Sequence, residues 1–367
     1  MKTESHKIAR NSSIELCRIV CMLMIIAHHC VVHGGAIGME LCANKYIALF
    51  LLPGGKVCFD AFLAISAWFM VGQSFKTERF LKTWAQVFFY SVVVYLLTLA
   101  FGSDFSLRSF LSTLLPMTGN SHGFAASYLA FYLLIPFLKI IADRLNRTQA
   151  KWLVILLLYF QVFSQIIGRI NGYYQPLYSE LLLFVLCYFI ANYLRKYPLA
   201  ITKNTFAMLA VFILTWIAVF AIWCMSTIYF PNSQIVSYLF ALCNDESSVL
   251  YLIGGYAFFF FFNSIQMPTV NAINTVAHTT FGTLLIHDHN FFRYILWGVI
   301  FHASTWYYTP SIRFILLIGF CTVSIFVVCG AIDWIRQRTL ERWVFQSNAV
   351  HKFCIKYDEL VNIQSQQ

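Results

Sequence analysis

Ten apolar runs, each of about 17–25 residues, follow one another along this 367-residue chain with only short polar stretches between them. A run of that length forms an α-helix that crosses the hydrocarbon core of a bilayer, which is ~30 Å thick. We therefore predict an all-α, polytopic membrane protein with about ten transmembrane helices. The predicted spans are 13–33, 57–75, 81–101, 124–141, 152–168, 179–195, 205–229, 246–263, 279–301 and 312–335.

The composition agrees with this class and excludes soluble ones. Apolar residues make up 60% of the chain and charged residues 11%, whereas soluble domains carry roughly 25% charged residues. One water-soluble core could not bury so much apolar surface. The net charge of +10 is better explained by basic cytoplasmic loops than by nucleic-acid binding, so we expect no nucleic-acid partner. The eleven cysteines contain no Cys-x-x-Cys pair, which favours simple packing.

The basic residues also predict the orientation. With ten spans both termini lie on one side of the membrane, and that side carries eighteen Lys and Arg residues against four on the other. Cytoplasmic loops concentrate Lys and Arg, so both termini should be cytoplasmic. We expect an integral membrane domain over 1–335 and a cytoplasmic tail over 336–367. The tail mixes arginines with Trp343 and Phe345, which is typical of a helix lying on the membrane surface.

The first span carries ionisable residues, which are costly inside a membrane and are functional candidates for that reason. Arg18 and His29 are eleven residues apart, about three helical turns or 16 Å, so they share one face of the helix. Glu15 lies one turn before Arg18 and can pair with it. Arg18 lies near the cytoplasmic end of the span, where a guanidinium suits a phosphate-bearing ligand. His29 lies toward the outer half, and its imidazole can remove a proton from a hydroxyl. The alternative is structural: an arginine that reaches the interface and a histidine bonded to a backbone carbonyl.

Lys56, at the edge of the second span, and Asp60, within it, are spaced i,i+4. This spacing allows an ion pair, either purely structural or part of a binding site. The segment Gly54-Gly55-Lys56 interrupts this apolar run. A broken or re-entrant segment is therefore an alternative to a continuous helix there.

The ninth span contains His287, Asp288, His289 and Arg293 within seven residues. On a continuous helix, His287 and His289 diverge by about 200°, which makes them poor joint ligands for a metal ion. We therefore predict no metal cofactor. Asp288 could fix the tautomer of a neighbouring histidine only if the helix is distorted at this point.

Several of these residues belong to longer motifs. Glu15, Arg18 and His29 form an Arg-x10-His motif with an acidic residue three positions before the arginine, and the chain resembles the membrane acyltransferase-3 family in this respect. Further similar segments follow in the family's order. They are 55–69, 128–138 (with Tyr128 and Tyr132) and 281–288. Two departures are Ala67-Trp68 in place of a Gly-aromatic pair and His122-Gly123-Phe124 in place of a Trp-Phe pair.

The resemblance implies an O-acyltransferase of a bacterial inner membrane. It would move an acyl group, usually acetyl, from cytosolic acetyl-CoA to a hydroxyl of an extracytoplasmic or lipid-linked glycan. His29 would act as general base or accept the acyl group itself, and Arg18 and Glu15 would complete the catalytic set. The remaining expected substrate-binding residues are His287, Asp288, Lys56, Asp60, Tyr128 and Tyr132.

Two other functions fit a polytopic chain with charged spans. A transporter or flippase for a lipid-linked glycan would also line a pathway with ionisable residues, but it would not consume acetyl-CoA. A polysaccharide polymerase or ligase usually needs a large outer loop, and no loop between the predicted spans is that long. The sequence leaves the oligomeric state open.

Overall fold

The computed structural model describes residues 11–118, 123–170, 179–243 and 245–362. The structure is 81% helical and its described residues contain no strand, which confirms the all-α prediction. His122, one of the departures from the family motifs, lies outside the described residues, as do the first ten positions.

Sixteen α-helices are described, joined by short turns. The first eight are α1 (Ser12–His33), α2 (Ala43–Met70), α3 (Thr77–Ala100), α4 (Leu107–Thr113), α5 (Gly123–Arg144), α6 (Arg147–Leu158), α7 (Ser164–Ile170) and α8 (Glu180–Lys196). The others are α9 (Thr205–Cys224), α10 (Gln234–Phe240), α11 (Val249–Ser264), α12 (Asn271–Ala277), α13 (Thr280–His287), α14 (Ser311–Arg336), α15 (Arg342–Phe345) and α16 (Asn348–Asn362).

Seven helical segments of the described chain are long and apolar enough to cross a membrane. They are Ser12–His33, Ala43–Met70, Thr77–Ala100, Gly123–Arg144, Arg147–Gly168, Thr205–Tyr229 and Ser311–Phe345. The apolar helix α11 is shorter, and α8 occupies the predicted span 179–195. Together these helices define a multi-pass membrane protein.

The second predicted span begins earlier than the apolar run indicates. Helix α2 runs without a break from Ala43 through Pro53 and the two glycines to Met70, so the segment is neither broken nor re-entrant. The glycines allow close helix packing rather than a turn. A Cβ atom added at Gly55 would overlap the ring of His28 on α1, and one at Gly54 would lie 3.1 Å from Trp216 on α9.

The ninth predicted span is not one helix, so the prediction of a continuous span over 279–301 was wrong. Helix α13 ends at His287, and the amide of Asp288 makes its last backbone hydrogen bond, to Leu284, at 3.0 Å. The amides of Phe292 and Arg293 then bond back to the carbonyl of His289, and a π-helical turn follows over Ile295–Ile300. The break places the ionisable residues at a helix end.

Helix α1 occupies the centre of the bundle. It packs against α2, α11, α12, α13 and α14, so most of its surface meets protein rather than lipid. Large apolar side chains are exposed instead on outer helices, as at Phe206 on α9 and Phe320 on α14, where a bilayer would cover them. A central position lets α1 present polar side chains to the interior of the bundle.

The tail continues from α14. After a π-helical turn and α15, helix α16 packs against α3, where the carboxylate of Asp358 accepts a hydrogen bond from the amide of Thr77 at 2.6 Å. Cys354 is buried, whereas Phe353 and Leu360 are exposed. A helix with exposed apolar side chains of this kind suits the membrane surface, and the location of α16 there stays a prediction.

Candidate active site

A cavity of about 760 Å³ lies inside the bundle, and Glu15, Arg18 and His29 all line it. All three belong to α1, and their spacing along the helix brings them to the same cavity. Two of them lie toward the N-terminal end of α1, and His29 lies near its C-terminal end. The predicted orientation puts the first end toward the cytoplasm and the second toward the outside.

The inner end of the cavity is basic. The guanidinium of Arg18 lies 3.6 Å from the carboxylate of Glu15, and Arg79 from the first turn of α3 also lines the cavity. Gln86 of α3 and His278, just after α12, line the same cavity. Two guanidinium groups with one carboxylate leave a net positive charge, which suits an anionic ligand.

His29 contacts two residues at the C-terminal end of α13. Its Nδ1 atom lies 3.0 Å from Nε2 of His287 and 3.5 Å from Oδ1 of Asp288. The other ring nitrogen of His287, Nδ1, donates to the carbonyl of Thr283 at 2.7 Å. Because a carbonyl oxygen only accepts, a neutral His287 has its lone pair on Nε2 and accepts from Nδ1–H of His29. The Nε2 atom of His29 is then left with a lone pair that can accept a proton.

Asp288 lies between several cationic or potentially cationic groups. Its Oδ1 accepts a hydrogen bond from Nε of Arg293 at 2.8 Å and lies 3.6 Å from Nε2 of His33. On a continuous helix, Asp288 and His287 would point in different directions. Because α13 ends at His287, both side chains reach His29.

Lys56 and Asp60 do not form the pair that their spacing allows. Lys56 lines the cavity and its ammonium pairs with Glu246, from the segment between α10 and α11. Asp60 is fully buried, packs against Gly255 of α11 and does not line the cavity. Neither of its carboxyl oxygens has a hydrogen-bond partner among the described residues.

The two tyrosines also differ. Tyr128 lines the cavity and lies beside the rings of Phe184 and Phe281, at 5.9 and 6.1 Å between centroids. Tyr132 lies away from the cavity, and its hydroxyl donates to the carbonyl of Lys76 at 3.3 Å. His287 is fully buried behind His29. Six of the nine predicted site residues therefore line the cavity, and His287, Asp60 and Tyr132 support it from behind or lie elsewhere.

The cavity is also lined by Arg79, Glu180 and Glu246, which the sequence did not single out as candidates. Arg79 was counted only as a cytoplasmic charge, and Glu246 lies outside the core of any apolar run. Glu180 begins α8, where its Oε2 accepts a hydrogen bond from Ser127 at 3.1 Å. The charge of Glu180 at the edge of a predicted span is the only sequence signal that it lines the cavity.

The fold and the family comparison together define a membrane acyltransferase. A family model described as an acyltransferase domain matches residues 11–334, nearly the whole chain. The chain therefore belongs to the acyltransferase-3 family. No curated protein and no solved structure matches it.

Proposed function

We propose that this chain is an O-acyltransferase of a bacterial inner membrane, which moves an acetyl group from cytosolic acetyl-CoA to a hydroxyl of an extracytoplasmic or lipid-linked glycan. One observation carries the proposal: a single cavity contains both the guanidinium of Arg18 and the imidazole of His29. A donor that enters from the cytosol and an acceptor that enters from outside can meet within such a cavity.

The basic inner end suits the phosphates of the donor. Arg18 and Arg79 supply planar guanidinium groups, which bind phosphate through paired hydrogen bonds. About 16 Å of helix separate Arg18 from His29, a distance comparable to the reach of the pantetheine arm. With the phosphates at Arg18, the thioester would lie beside His29.

His29 is the group that activates the acceptor. Its Nε2 takes the proton from the acceptor hydroxyl as the oxygen attacks the thioester carbonyl carbon. The carbon–sulfur bond then breaks, and the leaving thiolate takes that proton from His29, so free CoA and an ester are formed. Asp288, 3.5 Å from Nδ1, stabilises the positive charge on the ring between the two proton transfers.

A covalent route starts from the same nitrogen. Nε2 would attack the thioester carbonyl carbon, and the carbon–sulfur bond would break to release the CoA thiolate and leave an acyl-imidazolium. The acceptor hydroxyl would then cleave the carbon–nitrogen bond, and its proton would pass to the thiolate, so that an ester, free CoA and neutral His29 result. Both routes require the lone pair on Nε2, and both need the acceptor within reach of it. Lys56 and Tyr128 line the cavity and are the proposed contacts for substrate. Asp60 and Tyr132 do not line it, and we propose no substrate contact for them.

The test is acetyl-CoA consumption by the full-length protein in nanodiscs, supplied with membrane-extracted lipid-linked glycans. We expect release of free CoA thiol, and mass spectrometry should show one acetyl group added per modified sugar. His29→Ala should abolish both, while His351→Ala, an exposed position on α16, should leave both unchanged.

Two results would contradict the proposal. Unchanged acetylation by the His29→Ala variant would remove the base from the mechanism. Movement of glycan across the membrane without consumption of acetyl-CoA would instead identify a flippase.

A further inference from the structure

We propose that His29, His33 and Asp288 bind Zn²⁺ at the outer end of the cavity, and that bound zinc inhibits the enzyme. The binding part depends only on the geometry of these three side chains. The inhibition part rests on the proposed function, because it assumes that His29 accepts the acceptor's proton.

The two histidines have the spacing of a zinc-binding helix. His29 and His33 lie at i,i+4 on α1, so both rings project from one face, and their centroids are 5.0 Å apart. The same spacing places two zinc-binding histidines on one helix in other metal sites. Neither residue needs a change of backbone to present a nitrogen to a common ion.

Asp288 supplies the third ligand from a different part of the chain. Its Oδ1 lies 3.5 Å from Nδ1 of His29 and 3.6 Å from Nε2 of His33. Tetrahedral zinc with bonds of about 2.0–2.2 Å requires ligand atoms about 3.3–3.6 Å apart. All three ligand atoms lie within 4.8 Å of one another, so small rotations of the two rings complete the geometry.

The surroundings favour an ion at this position. Arg293 donates to Asp288 at 2.8 Å and orients the carboxylate, as partners outside the coordination sphere do in metal sites. The three side chains are 15–24% exposed and line the cavity, which gives an ion a route to them. Two imidazoles and one carboxylate favour zinc over magnesium or calcium and leave one coordination position for water. The nearby Arg293 charge limits the affinity, so we expect binding in the micromolar range.

Zinc at this position would disable His29. The ion occupies the lone pair of Nδ1, so a neutral imidazole then has its proton on Nε2. That nitrogen has no lone pair left for the acceptor's proton. The hydrogen bond between His29 and His287 is lost at the same time, because the ion takes the place of the proton that Nδ1 of His29 donates to Nε2 of His287.

Equilibrium dialysis of the full-length protein in detergent, with zinc measured by mass spectrometry, tests the binding part. We expect one zinc ion per chain, with affinity at least about tenfold weaker in His33→Gln. His351→Gln, a matched change at an exposed histidine of α16, should bind as the unmodified protein does. Equal zinc affinity in His33→Gln and the unmodified protein would overturn the site.

Acyl transfer in zinc-buffered solutions tests the inhibition part. Activity should be full in chelator and should fall as zinc occupies the site. His33→Gln should remain active at zinc concentrations that inhibit the unmodified protein. Activity that is absent in chelator and restored by zinc, or equal inhibition of both proteins, would overturn the inhibitory role. A chain that shows no acyl transfer either in chelator or with zinc would overturn the proposed function, and dialysis would still decide whether the site exists.

Discussion

Replacement of Asp288 by Asn gives a quantitative test of the proposed chemistry. The substitution keeps the size of the side chain and removes its negative charge. At 3.5 Å from Nδ1 of His29, a unit charge stabilises a protonated imidazole by about 5 kcal/mol at an effective dielectric constant of about 20. Arg293 shares the same carboxylate at 2.8 Å, and solvent in the cavity screens the pair. We therefore reduce the expected effect to about 2–3 kcal/mol.

That energy corresponds to a decrease in kcat of about 30- to 150-fold for Asp288→Asn. Because His29 is charged only between the two proton transfers, KM for acetyl-CoA should change little. Initial rates of thiol release, measured in chelator over a range of acetyl-CoA concentrations, separate the two parameters. Asp143→Asn, at an exposed ion pair with Lys139, is the matched control and should leave both unchanged. A kcat within twofold of the unmodified enzyme, or a change confined to KM, would refute the role of Asp288.

Two further substitutions test the donor site and the packing. Arg79→Ala should raise KM for acetyl-CoA by about 10- to 150-fold with a smaller effect on kcat, because a charged hydrogen bond to phosphate contributes about 1.5–3 kcal/mol. Lys82→Ala, which removes an ion pair with Glu78, is the control, and an equal KM in both variants would contradict the assignment. Gly282→Ala should lower the thermal unfolding midpoint, since the added methyl would overlap the carboxyl of Asp333 and overpacking costs about 1–3 kcal/mol. Gly319→Ala, where nothing lies within 4 Å of the added atom, should have the same unfolding midpoint as the unmodified protein. An unchanged midpoint in Gly282→Ala as well would show that the α13–α14 contact relaxes freely.

The sequence predicts features that depend on one helix and misses those that depend on where helices end or meet. Arg18 and His29 were expected on one face because helical geometry fixes residues eleven apart, and both line the cavity. The end of α13 at His287 was not expected, because apolar residues continue beyond it and hydropathy does not register a local turn. That turn decides which side chains reach His29.

Long-range partners were equally out of reach. The spacing of Lys56 and Asp60 suggested a local pair, yet Lys56 pairs with Glu246, 190 positions away in the sequence. A rule based on i,i+4 spacing considers only neighbours on one helix. The fold decides whether Lys56 pairs with Asp60 or with Glu246, because it brings the segment before α11, which carries Glu246, to the cavity.

The polar residues inside the bundle also show why an ionisable residue in a span is an incomplete sign of function. Asp333 is fully buried on α14, and its Oδ1 accepts hydrogen bonds from Tyr90 at 2.8 Å and from Arg336 at 2.8 Å. This group is satisfied within the protein and does not line the cavity. It packs against Gly282 of α13, whose last residue, His287, contacts His29. Because an interior that is closely packed transmits displacements, we expect substitutions in the buried Asp333 network to displace α13. Such a displacement would reach His29 through its hydrogen bond with His287, without any contact between Asp333 and substrate.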